Sequence, residues 1–303
     1  MNGTATDGLA FPAEHMSVDL DSLGSRVPGV DEETGAAARD RLGGGFGRLA
    51  DVAGWLAAAQ QHVPAIPPRR PRCVLISAAG DSVGNSAAEA QLSAASLAEP
   101  FGVGVRVVGA ERAVADAVRA GVEAADAEVD GGADLVVLVA AAAETDAAPA
   151  ALVSVLTGVE PVAVLPRSTA ALDSAAWSRR AGQVRDMRRA AMPLRSRPDA
   201  LLAALDSPQL AATAGFLLRA TGRRTPLVLD GAAALAAALL VDDIAPGAAG
   251  WWQAADASPD PVHGRACEEL GLRPLLTLGI SSRDGTAGLL SLPVLRAATA
   301  ASR

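Results

Sequence analysis

Short apolar runs alternate with longer Ala-rich stretches of helical spacing over most of the chain. A short apolar run bounded by turn-forming residues is typical of a strand covered on both faces. The runs that predict strands are Cys73–Ala78, Val103–Val108, Leu135–Val139, Val162–Leu165, Leu227–Leu229 and Leu275–Leu278. The stretches that predict helices are Ser86–Leu97, Arg112–Asp130, Ala148–Thr157, Ser174–Ala190, Pro198–Ala220 and Ala232–Leu240. This alternation predicts an α/β fold with a parallel sheet built from βαβ units.

The sheet prediction extends to individual side chains. In a parallel sheet with helices on both faces, strand side chains are expected to be buried. The six chosen for this expectation, one from each predicted strand, are Ile76, Val107, Val137, Val164, Val228 and Leu276.

The N-terminal part of the chain departs from this alternation. Residues 1–30 mix Gly, Asp, Ser and Pro without a period, which predicts a flexible tail. Apolar residues at helical spacing predict helices over Glu32–Leu42 and Gly47–Val63. We therefore expect residues 31–66 to form a helical segment of a small satellite domain and residues 67–303 to form the α/β domain. The pattern leaves open whether the C-terminal helices join the small domain.

Composition excludes several kinds of chemistry. The chain has 303 residues and a formal net charge of -8, whereas a nucleic-acid-binding surface needs clustered positive charge, so we expect no nucleic-acid partner. There is no Tyr, and all 26 Lys and Arg residues are Arg. Schiff-base lysines, a phosphate-loop lysine and tyrosine acids are therefore excluded.

Cysteine spacing and hydropathy narrow the class further. Cys73 and Cys267 lie far apart without metal-binding or disulfide spacing, so we expect reduced thiols and no bound metal. The apolar stretches Leu135–Ala143 and Ala232–Val241 are too short to span a bilayer. With no basic segment at the N-terminus, we expect a cytoplasmic protein with no membrane partner. The Gly-rich segment Gly43–Gly47 does not follow a strand, so it lacks the context of a dinucleotide-binding loop, and we expect no cofactor.

The segment Pro274–Leu295 carries the clearest candidate for chemistry. It predicts a strand, a Gly/Ser-rich turn and a helix, with Asp284 on the turn near the carboxyl end of the strand. Asp284 is either a general base or an ordinary helix cap, and the segment alone leaves both open. Asp81 and Asp230, each after a predicted strand, carry the same ambiguity between ligand contact and helix cap.

Two other clusters give weaker signals. His263, Asp260 and Ser258 could form a hydrolytic triad, but no GxSxG turn accompanies them. The segment Arg179–Arg197 is rich in Arg, but acidic and apolar residues interrupt it, which favours a solvated helix face over a phosphate-binding patch.

Several motifs in chain order resemble one enzyme family. They are Phe46–Leu49 (similar to SLGRLE), Arg72–Asp81 (similar to a strand ending in AGDHGV), Leu229–Gly231, Ser258 to His263 (on GHxSxEPGH) and Pro274–Leu295 (on PLLDLGMRLGEGTGA). On these motifs the chain is identified as a divergent member of the nicotinate-nucleotide:dimethylbenzimidazole phosphoribosyltransferases, which make the α-ribotide for the lower ligand of cobalamin. The resemblance implies a Rossmann-like α/β domain with a small helical domain, a homodimer, and a small heteroaromatic base or nucleotide as ligand.

The resemblance also assigns roles to residues. Asp284 falls on the family's glutamate, which takes a proton from one benzimidazole nitrogen as the other attacks C1′ of the ribotide. Arg283 replaces the Gly before that glutamate and is expected to lower the pKa of Asp284. The substrate-binding positions that the resemblance implies are Asp81, Ser82, Thr169, Asp230, Ser258, Arg283 and Gly285.

The chain departs from the family in its phosphate-binding loops. The GEMGIGNTT loop is matched by residues 139–147, where Val139, Ala142 and Glu144 replace the glycines and Asp146 and Ala147 replace the threonines. The GxGTG loop is matched by Pro166–Ala170. Losing those glycines removes backbone N–H donors for a phosphate. The departures predict a cobalamin-biosynthesis relative with lost or altered catalysis. The alternative is an active phosphoribosyltransferase that uses nicotinate mononucleotide and a benzimidazole-type base, with Asp284 as general base, so enzymatic activity stays open.

Overall fold

The central feature of the protein is a parallel sheet. The structure is a computed structural model that describes residues 19–78, 93–141, 146–166 and 174–303. Within them, five strands form one parallel sheet in the order β2-β1-β3-β4-β5, which confirms the predicted α/β class. The strands are β1 (Pro71–Ala78), β2 (Gly104–Ala110), β3 (Leu135–Ala140), β4 (Leu227–Asp230) and β5 (Trp252–Ala254).

Helices connect and cover the strands. They are α1 (Leu20–Gly24), α2 (Glu32–Leu42), α3 (Arg48–Gln60), α4 (Val114–Asp130), α5 (Ala148–Thr157), α6 (Ser174–Ala191), α7 (Pro198–Ala204), α8 (Pro208–Gly222), α9 (Ala232–Ile244), α10 (Pro261–Glu269) and α11 (Thr286–Ala301). The single helix expected over Pro198–Ala220 is wrong, because Pro208 starts a second helix there. Proline has no N–H and disfavours the helical conformation in the residue before it, so the helix is interrupted at Ser207.

Both faces of the sheet are buried, each in its own core. Side chains alternate along a strand, so neighbouring residues enter opposite cores. Val74 and Val136 pack with α4, α5, α8 and α9, whereas Leu75 and Val137 pack with α3 and α11. This double burial explains why the strands are continuous apolar runs in the sequence.

Two of the expected strands are wrong. Residues Pro161–Val164 form a 3₁₀ turn that begins at proline. Leu276 makes only an isolated parallel bridge with Asp256, and Leu278 is 66% exposed, so the segment runs beside the sheet without joining it as a strand. The true edge strand is β5, which is too short at three residues to produce a periodic signal.

The burial expectations hold for four of the six side chains. Ile76, Val137, Val164 and Val228 are buried. Val107 and Leu276 are only half-buried, because β2 is an edge strand and Leu276 lies outside the regular sheet.

The N-terminal residues pack more closely than the expected tail. Leu20 in α1 is fully buried, and the indole N–H of Trp251 donates a 2.7 Å hydrogen bond to the carbonyl of Pro28. Residues 19–30 are therefore held to the body of the protein, while the division into domains stays a prediction. In the parts of the chain that the structure describes, every helix is too short or too polar to cross a membrane.

Helices α4 and α8 touch through two glycines. A Cβ at Gly121 would lie 1.9 Å from the carbonyl oxygen of Ala212, and one at Gly215 would lie 2.4 Å from that of Val118. Both values are far below contact distance, so the backbones of the two helices meet directly only because these positions lack side chains.

We expect Gly121→Ala to lower the free energy of unfolding by about 1–3 kcal/mol, because the added methyl forces the two helices apart. Urea denaturation would measure the change. The matched control is Gly182→Ala on α6, where a Cβ meets no atom within 4 Å. That control should be neutral or should stabilise by about 0.5–1 kcal/mol through helix propensity, and equal effects of the two variants would contradict the close contact.

Candidate active site

Asp284 lies immediately before α11, beside the carboxyl half of β3 and β4. Its Oδ1 accepts hydrogen bonds from the N–H (3.0 Å) and hydroxyl (2.6 Å) of Thr286, and its Oδ2 accepts one from the hydroxyl of Ser93 (2.7 Å). Gly285 has φ +89° and faces the side chains of Cys73 and Val139. The carboxylate thus contacts the first residue of α11 through one oxygen and Ser93 through the other, and its role as general base stays a prediction.

The pKa of Asp284 lies below its usual range. Burial acts to raise this pKa, but hydrogen bonds from Thr286, Ser93 and Ser282 outweigh burial and hold it down. The expectation that Arg283 would do this is wrong: within the described residues Arg283 forms no ion pair with Asp284, and hydroxyl and amide donors have that effect. Asp284 is therefore ionised at neutral pH.

Asp230 ends β4 and is almost fully buried. Its Oδ2 accepts a 2.8 Å hydrogen bond from the N–H of Gly288 in the first turn of α11. Burial raises the pKa of Asp230 to about 7, the hydrogen bond from Gly288 opposes that rise, and the nearby charges of Asp284 and Asp256 add to it. Near neutral pH, Asp230 thus changes between the neutral and charged forms.

A third carboxylate, Asp256, holds the backbone that leads to Asp284. One of its oxygens accepts a hydrogen bond from the N–H of Leu278 and the other from that of Ile280, both at 2.6 Å. Asp256 is only 2% exposed. Asp256 was not singled out as a site residue from the sequence, so its contacts were missed.

The candidate hydrolytic triad is not assembled. Asp260 caps α10 through the N–H of Val262 (2.9 Å), and the hydroxyl of Ser258 accepts from the N–H of Asp260 (3.3 Å). His263 Nδ1 lies 3.7 Å from Cys267 Sγ. Burial lowers the pKa of His263, against the raising effect of Asp260 and Asp256. These side chains build the wall of a cavity rather than a proton relay.

Two small adjoining cavities share Arg283. The first, of about 30 Å³, is lined by residues that include Asp230, Asp256, Ser258, His263, Ser282 and Arg283. The second, of about 20 Å³, is lined by residues that include Asp146, Pro149, Arg180, Ala232, Asp260 and Arg283. The structure thus brings Asp230, Ser258 and Arg283 together at the first cavity, while Arg180 joins Arg283 at the second, and the substrate-binding role of these residues stays a prediction.

Three of the sequence-derived site residues, Asp81, Ser82 and Thr169, lie outside the described residues, as does Glu144. Arg180 and Ser93 were not singled out as site residues, since an Arg in a basic helix and a Ser in an Ala-rich helix carry no distinctive signal. In the described ranges, no three or more His, Cys, Asp or Glu side chains are grouped so that they could hold a metal ion.

Open α/β sheets bind ligands in the crevice outside the carboxyl ends of their strands. A family model described as "Phosphoribosyltransferase" matches residues 110–303. Nicotinate-nucleotide–dimethylbenzimidazole phosphoribosyltransferase of Streptomyces avermitilis is 37% identical over 93% of this chain and 88% of its own length, and that of Mycobacterium ulcerans is 37% identical over 85% and 84%.

A solved structure is also similar. The crystal structure of nicotinate-nucleotide-dimethylbenzimidazole phosphoribosyltransferase from Thermus thermophilus superposes with a TM-score of 0.76 at 27% identity, over 90% of this chain and 96% of that one. The chain belongs to the nicotinate-nucleotide–dimethylbenzimidazole phosphoribosyltransferase family, which confirms the resemblance seen in the sequence.

We expect Asp230→Asn to flatten part of the pH dependence of stability. The folded pKa of Asp230, about 7, exceeds its ordinary value of 3.8, so the fold disfavours the ionised form. This contribution to stability is complete below the unfolded pKa and is lost as pH rises through about 7. The variant should therefore lose less stability than wild type between about pH 4 and 7 in urea denaturation.

The matched control is Asp31→Asn, at a carboxylate that caps α2 through the N–H of Thr34 (3.0 Å) and whose pKa is lowered, chiefly by that bond. Asp31 contributes its full stabilisation above the unfolded pKa and loses it only as pH falls through the lowered folded pKa, so Asp31→Asn should leave the pH dependence between about pH 4 and 7 unchanged. Wild-type behaviour of Asp230→Asn over this range would contradict the raised pKa.

Proposed function

We propose that this chain is an active phosphoribosyltransferase that transfers ribose 5-phosphate from nicotinate mononucleotide to a benzimidazole-type base, with Asp284 as general base. The observation that carries the proposal is that the ionised Asp284 directly follows Arg283, which lines two small adjoining cavities. Family membership supplies the reaction class, and we infer that Arg180 and Arg283 at the second cavity take over part of the phosphate contact that the lost glycine loops no longer provide.

The second cavity lies where three helices begin. Its lining includes residues at the N-terminal ends of α5, α9 and α10. Helix N-termini carry partial positive charge and orphan N–H groups, which favour phosphate. Helix α9 follows Gly231 and has no side-chain cap, and among the described residues nothing accepts from the N–H groups of Ala232, Ala233 or Ala234. Those donors are available to a ligand.

Arg180 and Arg283 line the same cavity. Guanidinium groups bind phosphate in a bidentate manner, so two of them compensate for missing backbone N–H donors. Two hydrogen bonds reduce the repulsion between the Asp146 carboxylate and a bound anion. Its Oδ1 accepts from the N–H of Ala148 (2.9 Å) and its Oδ2 from the amide of Gln209 (2.6 Å).

The low pKa of Asp284 is compatible with its role as base. In the transfer, one benzimidazole nitrogen forms a bond to C1′ while the bond from C1′ to the nicotinate nitrogen breaks and nicotinate leaves with the electron pair. The attacking base becomes cationic as this bond forms, so its remaining N–H becomes far more acidic. A weak carboxylate base can then accept that proton, with Ser93 and Thr286 keeping the carboxylate oriented.

The second candidate is a non-catalytic relative. One observation favours it: both oxygens of Asp284 already accept hydrogen bonds, as in a structural helix cap. The predictions of lost or altered catalysis, of a homodimer and of a cytoplasmic location stay predictions.

Calorimetric titration with nicotinate mononucleotide separates the two candidates. We expect saturable binding with a Kd below ~1 mM, about −4 kcal/mol. Arg180→Ala and Arg283→Ala should each weaken binding roughly ten- to a hundredfold, the range for one charge-assisted hydrogen bond. The control is Arg185→Ala on the same helix as Arg180, since Arg185 is exposed and pairs with Asp186. Absence of saturable heat in wild type would favour the non-catalytic relative.

Asp284→Asn tests the general base. Asparagine keeps the oxygen that accepts from Thr286 but cannot take a proton, so turnover should fall by about 10²- to 10⁴-fold. Formation of α-ribotide in a coupled product assay would measure it, and thermal unfolding would report the capping role separately. A variant with reduced thermal stability and unchanged turnover would show that Asp284 only caps α11.

A further inference from the structure

The segment that carries Asp284 has little regular structure of its own. Residues 277–285 lie between the bridge at Leu276 and the start of α11. A carboxylate on such a segment keeps its place only if the backbone on each side is fixed by other groups. Two buried carboxylates contact that backbone, one on each side of Asp284.

Asp256 fixes the side before Asp284. It follows β5, is nearly fully buried, and accepts one N–H on each oxygen, from Leu278 and from Ile280. A carboxylate is the side chain that can accept two backbone N–H groups in this way, because asparagine would direct an NH₂ group at one of them. The loop backbone is therefore matched to a carboxylate at this position.

Asp230 fixes the side after Asp284. It accepts the N–H of Gly288, and Gly288 lies so close to β3 that a Cβ there would be 2.2 Å from Val137 Cγ1. The first turn of α11 is thus held on the sheet by a side chain from β4. Since Asp284 caps that turn, its oxygens follow wherever the turn is placed.

We propose that Asp256 and Asp230 are positioning residues that together fix the Asp284 carboxylate for its role in transfer. The placement of Asp284 by these two residues does not depend on the proposed function. Only the use of that placement in transfer rests on the proposed function. Asp284 is one methylene shorter than the glutamate of the family motif, so it reaches less far and depends more on where its backbone lies. A displacement of about 1 Å at a reacting group is enough to reduce rate by about 10²-fold.

Three carboxylates close together repel one another, and the structure offsets this in two ways. Every one of them accepts backbone N–H groups, and Asp230 takes up a proton near neutral pH. Cys73 from β1 also lies near Asp284, and burial raises the pKa of Cys73 so that it stays a neutral thiol, whereas Arg283, the preceding residue in the chain, lines the adjoining cavity.

The test is a pH titration of the Asp284 carboxyl carbon by carbon-13 NMR, without any ligand, in wild type and in Asp256→Asn. If the segment loses its anchor, Asp284 loses its long-range contact with Ser93, and its pKa rises toward the ordinary value. Removing a neighbouring negative charge with the segment still in place would instead lower that pKa. The sign of the shift therefore distinguishes displacement from a change of charge.

Asp230 supplies a matched pair of variants. Asp230→Asn keeps an oxygen for the N–H of Gly288 and should leave Asp284 in place, whereas Asp230→Ala removes the acceptor and should raise the pKa of Asp284. Asp31→Asn, which caps the distant helix α2, should leave that pKa unchanged. An unchanged or lowered pKa of Asp284 in both Asp256→Asn and Asp230→Ala would overturn the proposal.

Turnover gives the second readout. Asp256→Asn should lower kcat at least tenfold with little change in the KM for nicotinate mononucleotide. In an Asp284→Ala background it should add no further loss, because both substitutions act through one group. Additive losses would contradict positioning through Asp284. If wild type shows no turnover but the titration shifts as expected, the proposed function fails and the positioning role stands.

Should Asp256→Asn fail to fold, amide hydrogen exchange of wild type tests the same contacts. The N–H groups of Leu278, Ile280 and Gly288 should exchange more slowly than those of Ser281 and Ser282 between them. Uniformly fast exchange from residue 277 to residue 288 would overturn the proposal.

Discussion

Helix α11 lies directly on the inner strands, and two glycines make this contact possible. A Cβ at Gly288 would penetrate Val137, and Gly285, at φ +89°, would place a Cβ 3.1 Å from Cys73 Sγ. A side chain at Gly288 would push the helix off the sheet, and one at Gly285 would be strained by the positive φ. Because α11 is this close, its first N–H groups are within reach of Asp230 at the end of β4, and the carboxylates of the site meet.

The same contact completes the second core. Leu289, Leu292 and Leu295 enter the core that α3 shares with one face of β1 and β3. Covering this face makes the sheet buried on both sides, which the continuous apolar strands require. The position of the site is therefore a consequence of core packing. Asp284 lies at the start of α11, and α11 begins where the strands that it covers end.

Elements with a strong local signal were predicted well from the sequence. The bounds of α2 and α5 agree with the expectation, because Asp31 caps one and Gly158 ends the other in a left-handed conformation. The strand predictions for 162–165 and 275–278 were wrong for one shared reason. Each is apolar and short, and periodicity cannot separate a strand from a turn that packs beside a sheet; only the neighbouring elements decide. The same difference holds for the candidate site. Asp230 and Asp284 were predicted because strand ends and family motifs point to them. Ser93, which contacts Asp284 across 191 positions, was missed because a single sequence carries no signal for such a pairing.

The departures from the family motifs form two linked changes. At the second cavity, backbone N–H donors of the family's glycine loops are lost, and the arginine side chains Arg180 and Arg283 line the space, so mobile charges are offered where the family has fixed backbone dipoles. At the position proposed for the general base, the shorter acid Asp284 is combined with Asp256, a carboxylate that anchors the segment carrying Asp284. Arg180 and Arg283 line the second cavity, and Asp256 anchors the segment that carries the shorter acid. Under the proposed function, these residues take over part of what the lost glycines and the longer acid supply in the family.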